Sequence, residues 1–339
     1  MKKIFLILFA SLFAFTQCGK DSETGNNDTK TVSISGKTDY NNGKSDIAIP
    51  GGNISWKGDE SIFIAVPAHG DFPARLVEMK NTASGGNAFQ GEAPEGLIVS
   101  GKNYEIWYFG NNGEGTKNVT NIYNEGVLQG KTISFKEQTG LLENIGDFHI
   151  AKGTVSFVQN NNTGDLTFSR PVSFETQMAI AYIYLYQVDH SDNIYNWDFD
   201  NVEQQDLYLD INNGTDYNTM TFSYNAQTNN FEQKYSNISD PATKLDYGSE
   251  GVVDIYITTH VEYGSNMAYL GHKYVALLPN SKPNLYFQSY QVGIGWYIYN
   301  HQFEENIITN QIYTDGYDEN NSIRPIHIKG TPCWSLDDY

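Results

Sequence analysis

Residues 172–188 read VSFETQMAIAYIYLYQV and form the longest strand candidate in the chain. In extended backbone, successive side chains point to opposite faces. One face would carry Val172, Phe174, Met178, Ile180, Tyr182, Tyr184 and Tyr186, and the other Ala179, Ala181, Ile183 and Leu185. Both faces are apolar from residue 178 onward, which predicts a central strand that is covered on both sides.

Shorter apolar runs recur from Thr31 to the last residues, separated by clusters of Gly, Asn and Asp. This spacing is typical of antiparallel β-sandwiches, and no long apolar stretch of helical period occurs after residue 17. The sequence therefore predicts an all-β protein with two tandem antiparallel β-sandwich domains. Six turn-forming residues at 160–165 are the predicted boundary, which gives domains at residues 31–160 and 166–339.

Two finer features of the second domain are expected. The runs 207–211 and 220–224 flank Asn212-Asn213-Gly214, which indicates a hairpin. The run 323–328 contains Pro325, whose missing amide hydrogen suits a sheet edge, so we expect an integral edge strand there.

The chain begins with Lys2, Lys3 and an apolar run over residues 4–15. This run is too short to cross a bilayer, which takes roughly 18 or more residues, but it suits the signal peptide of an exported protein. Cys18 follows and resembles the lipid-attachment cysteine of bacterial lipoproteins, with residues 1–17 as the cleaved signal. The alternative is an ordinary signal peptide that contains a cysteine. Residues 18–30 lack aliphatic side chains and predict a flexible tether.

The residues after the cysteine suggest where the protein is displayed. Lys20, Asp21 and Glu23 resemble the short signal that sends lipoproteins of Gram-negative anaerobes to the outer face of the cell. Acylation with two or more chains gives a stable anchor. We therefore expect a protein of the cell outer membrane that is exposed on the surface or incorporated in a fimbrium.

The charge of the chain limits its partners. Without residues 1–17 it carries 19 Lys and Arg against 40 Asp and Glu, a net charge of −21. Such a surface repels phosphate backbones and anionic headgroups, which argues against nucleic acid and peripheral membrane binding. With Cys18 assigned to lipid, Cys333 has no disulfide partner. No spacing favours a metal site, and no cofactor is expected.

Aromatic residues are abundant, with 24 Tyr, 18 Phe and 5 Trp. Trp296, Tyr297 and Tyr299 stand among Asn, Gln and further aromatic residues, and such rings suit stacking on sugars or on a protein partner. They form a candidate ligand platform, although tyrosines that simply fill sheet faces explain the same pattern. Catalytic signatures such as Gly-x-Ser-x-Gly are absent, so an enzyme is not expected, and a glycoside-processing enzyme is only the third interpretation.

The order of several motifs resembles the fimbrillin family, the major-fimbrial-subunit-like surface lipoproteins of anaerobic Gram-negative bacteria. The matching residues are Trp56, Gly58, Asp59 and the run 62–66, then Phe89, Gln90 and Gly91, the aromatic run 104–109, and the segment 138–151 that starts with Gln138, Thr139 and Gly140. The matching region spans residues 31–155.

The resemblance implies two transthyretin-like β-sandwich domains and a role in cell adhesion or fimbrial assembly. Partners would be other fimbrial subunits or ligands on host and bacterial surfaces. Polymerising members are cut after an early arginine, and a neighbour's strand then fills the groove. Here no arginine precedes Arg75, and Lys37 or Lys44 would have to replace it. This favours an anchor, tip or stand-alone adhesin over a stalk subunit. The alternative is a surface glycan-binding lipoprotein of a polysaccharide uptake system.

Overall fold

The structure is a computed structural model. It describes residues 30–38, 56, 58, 60–82, 86–110, 119–135, 138, 142–187, 206–211, 219–236, 254–258, 269–280, 282, 284–291, 295–316 and 323–333. Within these ranges, helix is confined to one α-turn, Leu142–Ile145, and a 3-10 turn, Gly146–Phe148. The expectation of an all-β protein is confirmed.

Twenty strands are described. In chain order they are β1 Thr31–Lys37, β2 Ser61–Val66, β3 Arg75–Asn81, β4 Ala88–Pro94, β5 Asn103–Phe109, β6 Val119–Asn124, β7 Val127–Ser134, β8 Ile150–Gln159, β9 Leu166–Phe168, β10 Glu175–Thr176, β11 Ala179–Gln187, β12 Asp206–Ile211, β13 Thr219–Asn225, β14 Asn230–Ser236, β15 Asp254–Thr258, β16 Tyr269–Leu277, β17 Asn284–Gln291, β18 Gly295–Gln302, β19 Ile312–Tyr313 and β20 Ile326–Cys333.

The first sheet closes on itself. Its strands pair in the order β8-β5-β2-β3-β4-β1-β9, β9 pairs with β8 again, and β10 extends the sheet beyond β8. Alternate side chains fill the interior. There the ring of Trp56 packs edge-on against Phe89, Tyr108 and Phe174 at centroid distances of 5.0, 5.1 and 6.4 Å. Three of the fimbrillin-like motifs thus meet in one core.

The stretch 172–188 crosses from the first sheet to the second. Its first part forms β10 beside β8, and its second part forms β11, which lies between β16 and β20. The predicted central, covered strand is confirmed for β11, since residues 179–183 are all buried. The prediction of one continuous strand is wrong, because the amide of Gln177 still donates a hydrogen bond to the carbonyl of Ile150 in the first sheet.

The loop 160–165 joins two strands of the first sheet. It connects β8 to β9, and β9 pairs with both β8 and β1. Strand pairing therefore places the passage between the two large sheets at residues 177–178. The second sheet follows in the order β15-β12-β17-β18-β20-β11-β16, with β19 on β11. The division into two domains remains a prediction.

A third sheet, in the order β14-β13-β7-β6, combines strands from both halves of the chain. The expected hairpin between 207–211 and 220–224 is wrong: β13 pairs with β14 and β7, whereas β12 pairs with β15 and β17. Phe222 explains the choice. Its ring lies 4.4 Å from that of Trp107 and 5.4 Å from that of Phe109, so the outer face of the first sheet holds β13.

Gln138, from the Gln-Thr-Gly motif, links this region to the second sheet. Its side-chain amide donates to the carbonyl of Ala276 at 2.9 Å and accepts the amide hydrogen of the same residue at 2.7 Å. Ala276 belongs to β16, the outermost strand of its sheet. The side chain therefore satisfies a backbone amide and a carbonyl of β16, which pairs with β11 along its other edge.

Lys131 is a buried cation between the first and third sheets. Its ammonium donates to Asn121 at 2.8 Å and lies 4.1 Å from the centroid of the Phe63 ring. Burial lowers the pKa of Lys131 to about 8, and the charge of Glu78 opposes this shift. The folded chain therefore prefers the neutral amine more than the unfolded chain does.

Lys131→Met should flatten the alkaline pH dependence of stability. Between the folded pKa and the ordinary value of 10.5, the unfolded state binds more protons, so the free energy of unfolding rises with pH. For the unmodified chain we expect a rise of roughly 2 kcal/mol between about pH 7.5 and 9.5 from this group. Urea titrations at both pH values check it. The exposed Lys80→Met is the control and should keep the rise; an equal rise in Lys131→Met would contradict the assignment.

Candidate functional site

Strand β1 is the candidate site for strand exchange, and it is bonded along both edges. All seven of its residues pair with β4, from Thr31 opposite Pro94 to Lys37 opposite Ala88. On its other edge, Ile34 and Ser35 pair with β9 in parallel. Val32 and Ile34 point into the core and are 4% and 1% exposed. The strand thus closes the first sheet rather than covering its edge.

Both ends of β1 are held by further contacts. At the start, the ammonium of Lys30 lies 3.2 Å from the carboxylate of Glu95, whose amide donates to the Lys30 carbonyl at 2.7 Å. At the end, the side chain of Asn87 donates to the carbonyl of Thr38 at 2.6 Å. A carboxylate of the neighbouring loop, Asp165, accepts the amide hydrogen of Ser33 at 3.1 Å.

Two of the three basic residues considered for proteolysis lie in paired strands. Lys37 is exposed, but its carbonyl accepts the amide hydrogen of Val172 at 2.9 Å, and the next residue, Thr38, is 1% exposed. Arg75 begins β3, which lies between β2 and β4, and Leu76 after it is 5% exposed. Lys44 lies outside the described residues. Neither described peptide bond lies in an open loop.

The proposed anchor lies outside the described residues, as do Lys20, Asp21 and Glu23 of the surface-export signal. Cys18 is separated from β1 by residues 19–30. Twelve residues reach at most about 40 Å when fully extended. Lipid attachment at Cys18 therefore stays a prediction, and it would place the start of β1 within that distance of the membrane.

The predicted platform residues Trp296, Tyr297 and Tyr299 belong to β18. This strand pairs with β17 on one side and β20 on the other, so it is interior to its sheet. Their side chains lie outside the described part of the structure, and the platform stays a prediction. The pairing of β20 with β18 and β11 confirms an integral final strand. The expected edge position is wrong, because β20 lies between β18 and β11. Pro325 is compatible with this interior position because it stands just before the first paired residue, Ile326.

A ladder of rings that sequence reasoning missed crosses strands β16, β11 and β20. Tyr182 stacks on Tyr274 at 5.0 Å and on His272 at 5.2 Å, while Tyr184 lies 4.9 Å from His272 and 5.4 Å from His327. Both histidines are exposed. Burial, and then the proximity of His327, lower the pKa of His272. Alternation in 182–186 was visible in the sequence, but the histidines join it only through strand register.

The described residues hold no cluster of three or more His, Cys, Asp or Glu side chains with the proximity that a metal ion requires. None of the helices in the described residues has the length and apolarity that a membrane span requires.

Comparisons with known proteins give similar structures but no sequence relative. No family model and no curated protein matches the chain. A candidate cell adhesion protein of Bacteroides ovatus is 13% identical with a TM-score of 0.43, covering 91% of this chain and 99% of its own. A candidate polysaccharide-binding protein of Bacteroides thetaiotaomicron is 10% identical at 0.39, covering 78% of each chain. The fimbrial anchor protein of Porphyromonas gingivalis is 9% identical at 0.37, covering 78% of this chain and 80% of its own.

Proposed function

We propose that this chain is a lipid-anchored protein of the outer cell surface that acts in cell adhesion or fimbrial assembly. Within that role it is an anchor, a tip or a stand-alone adhesin rather than a polymerising stalk subunit. The proposal combines the signal and cysteine of residues 1–18, the motif order over residues 31–155 and the position of β1. It assigns no catalytic role.

The position of β1 is the observation that carries the choice against a stalk subunit. Strand exchange needs a first strand that leaves after one cut and a groove that survives its loss. Here the loss of β1 would break the pairing with β4 and with β9 together and open a closed sheet. The peptide bonds after Lys37 and Arg75 lie in hydrogen-bonded strands, whereas proteases cut preferentially in exposed loops.

The two large sheets are proposed to represent the two transthyretin-like sandwich units that the family resemblance implies. In this proposal the first unit contains β1 to β5 and β8 to β10, and the second contains the strands of the second sheet. Residues 18–30 would connect the first unit to the membrane, so this unit would lie closer to the anchor. In this proposal the two units are joined by one buried cluster, which contains Trp107 of the first sheet, Phe222 of the third sheet, and Ile180 and Ala276 of the second sheet.

A surface glycan-binding lipoprotein of a polysaccharide uptake system is the second candidate. The outer part of the ring ladder, half-buried Tyr184 with the exposed His272 and His327, favours it, because aromatic rings with polar edges suit stacking on sugar rings. Both candidates place the protein on the outer surface, and they differ in whether its main ligand is another protein or a carbohydrate.

Cells that lack the protein should attach less to host or bacterial surfaces, or should carry fewer or detached fimbriae. Attachment counts on mucin-coated and partner-cell-coated slides, with electron microscopy of the same cells, measure both effects. Unboiled membrane extracts should show the chain as a single band. Normal attachment and normal fimbriae in the deletion strain, or a ladder of multimers of this chain, would contradict the proposal.

A further inference from the structure

A groove with polar and apolar walls lies at the end of β1 that is farther from the tether. It consists of two adjoining cavities of about 380 and 440 Å³, which share Arg170 and Pro171 on the crest between them. One cavity reaches Lys37 at the end of β1, and the other reaches Lys152 on β8. Their volumes fall in the range of small-ligand sites, about 300–1,000 Å³. We call this feature the Arg170 groove.

The groove concentrates positive charge on an acidic protein. Arg170 and Lys37 are exposed, and within the described residues neither side chain forms a hydrogen bond or an ion pair. The ammonium of Lys152 lies 4.0 Å from the carboxylate of Glu105 and 5.6 Å from the centroid of the Trp107 ring. The whole chain carries 21 Lys and Arg against 40 Asp and Glu, so three cations along two adjoining cavities are unexpected. They favour an anionic ligand.

The crest that carries Arg170 is held firmly by its neighbours. Val172 and Phe174 are each 1% exposed and anchor the segment in the core. The hydroxyls of Ser169 and Ser156 lie 2.5 Å apart and form a hydrogen bond. Strand β8 also approaches the segment closely at Gly153, where a Cβ would lie only 2.5 Å from the carbonyl oxygen of Ser173. The backbone of Arg170 is thus preorganised, which lowers the entropy lost on binding.

The other walls offer groups that suit a sugar. The half-buried ring of Phe168 lies over Gly36, where any Cβ would overlap it. Thr154 and Ser173 supply exposed hydroxyls, and Glu175 supplies an exposed carboxylate that can accept hydrogen bonds from ligand hydroxyls. An aromatic ring in one cavity, acceptors beside Lys152 in the other and Arg170 between them match a ligand ring that bears both hydroxyls and a single carboxylate.

We propose that the Arg170 groove binds a carboxylated sugar, a uronic acid unit of an acidic polysaccharide, with Arg170 pairing with the ligand carboxylate. Lys37 and Lys152 assist from the two cavities, and Phe168 stacks on a sugar ring. The groove thereby names the ligand class of the proposed surface protein, and it rests on that proposed function for its biological meaning.

A carboxylated sugar fits better than a phosphorylated polymer. A polyphosphate carries charge at every repeat and would meet Glu175 inside the groove as well as the acidic surface around it. A uronate has one charge for each ring, and its hydroxyls turn Glu175 from a repelling group into an acceptor. The groove also lies about 20 Å along β1 from the tether end.

The test is titration calorimetry of the full chain in neutral detergent micelles with trigalacturonate at low salt. Methyl-esterified trigalacturonate, which has no charge, should bind much more weakly. Arg170→Gln should weaken trigalacturonate binding about 10-fold or more, because a hydrogen bond to a charged group contributes at least that much. Glu175→Gln should retain the binding, because the side-chain oxygen of glutamine can still accept hydrogen bonds from the ligand hydroxyls.

Arg324→Gln is the matched control, because Arg324 is an exposed arginine that does not line the groove. Equal weakening by Arg324→Gln and Arg170→Gln would reduce the effect to net charge and overturn the groove. So would an absence of trigalacturonate binding by the unmodified chain, or equal binding of inorganic phosphate and trigalacturonate. Attachment of whole cells is a separate readout: lost uronate binding with normal attachment rejects the groove alone, not the adhesion role.

Discussion

A chain that lacks residues 31–37 should fail to form its first sheet and should be unfolded at ambient temperature. The deletion removes Val32 and Ile34 from the core and leaves the edges of β4 and β9 without partners. Each large-to-small loss of a buried aliphatic group costs about 2–5 kcal/mol, against a total stability of about 5–15 kcal/mol for a domain. Circular dichroism and thermal melting measure the loss.

A pair of point variants makes the same test without a deletion. Ile34→Asn places an amide in the core without a partner and should lower the free energy of unfolding by about 3 kcal/mol or more. Ser33→Asn changes the exposed neighbour on the opposite face and should stay within about 0.5 kcal/mol of the unmodified chain. A folded deletion variant that takes up a strand from another copy would show instead that β1 is a removable strand, as in a stalk subunit.

Cys18→Ser should release the protein from the membrane almost completely. Each buried methylene of an acyl chain contributes about 0.8 kcal/mol, so the loss of two chains removes the whole attachment. Fractionation of cells into membrane and soluble parts measures it, and Cys333→Ser is the matched control that should stay in the membrane. A Cys18→Ser protein that remains in the membrane would contradict lipid anchoring. Replacing Lys20, Asp21 and Glu23 by Ala should keep the anchor but reduce accessibility to protease added outside intact cells.

Local pattern was sufficient to predict strands but not to predict their partners. Residues 179–183 correctly indicate a central strand, because apolar side chains on both faces of a strand require that both faces be buried. The hairpin expected across Asn212-Asn213-Gly214 fails, since the contact of Phe222 with Trp107 joins residues far apart in sequence. The burial of two large aromatic rings contributes more to stability than a local turn preference does.

The closure of the first sheet could not be predicted from the sequence. It depends on β9, a strand of three residues between a turn-rich loop and an irregular segment. Such a run has too few side chains to show a period. The loop 160–165 resembles a domain boundary because it contains six consecutive turn-forming residues. It connects β8 to β9, and Leu166 after it is 3% exposed and belongs to the core.

The candidate surfaces differ in how far the sequence reveals them. The order of the Trp56, Phe89 and Tyr108 motifs is readable, and the structure brings their rings together. The Arg170 groove is not readable, because it depends on the backbone path between β9 and β10 and on the register of β1. The ring ladder likewise requires that His272 and His327 be aligned with Tyr184 across three strands.

The most direct test of the account is the intact mass and N-terminal sequence of the protein taken from the surface of its native cells. We expect a chain that begins at an acylated Cys18 and continues uncut through β1. A chain that begins after Lys37, Lys44 or Arg75, found in denaturation-resistant multimers, would contradict it and would identify a subunit that polymerises by strand exchange.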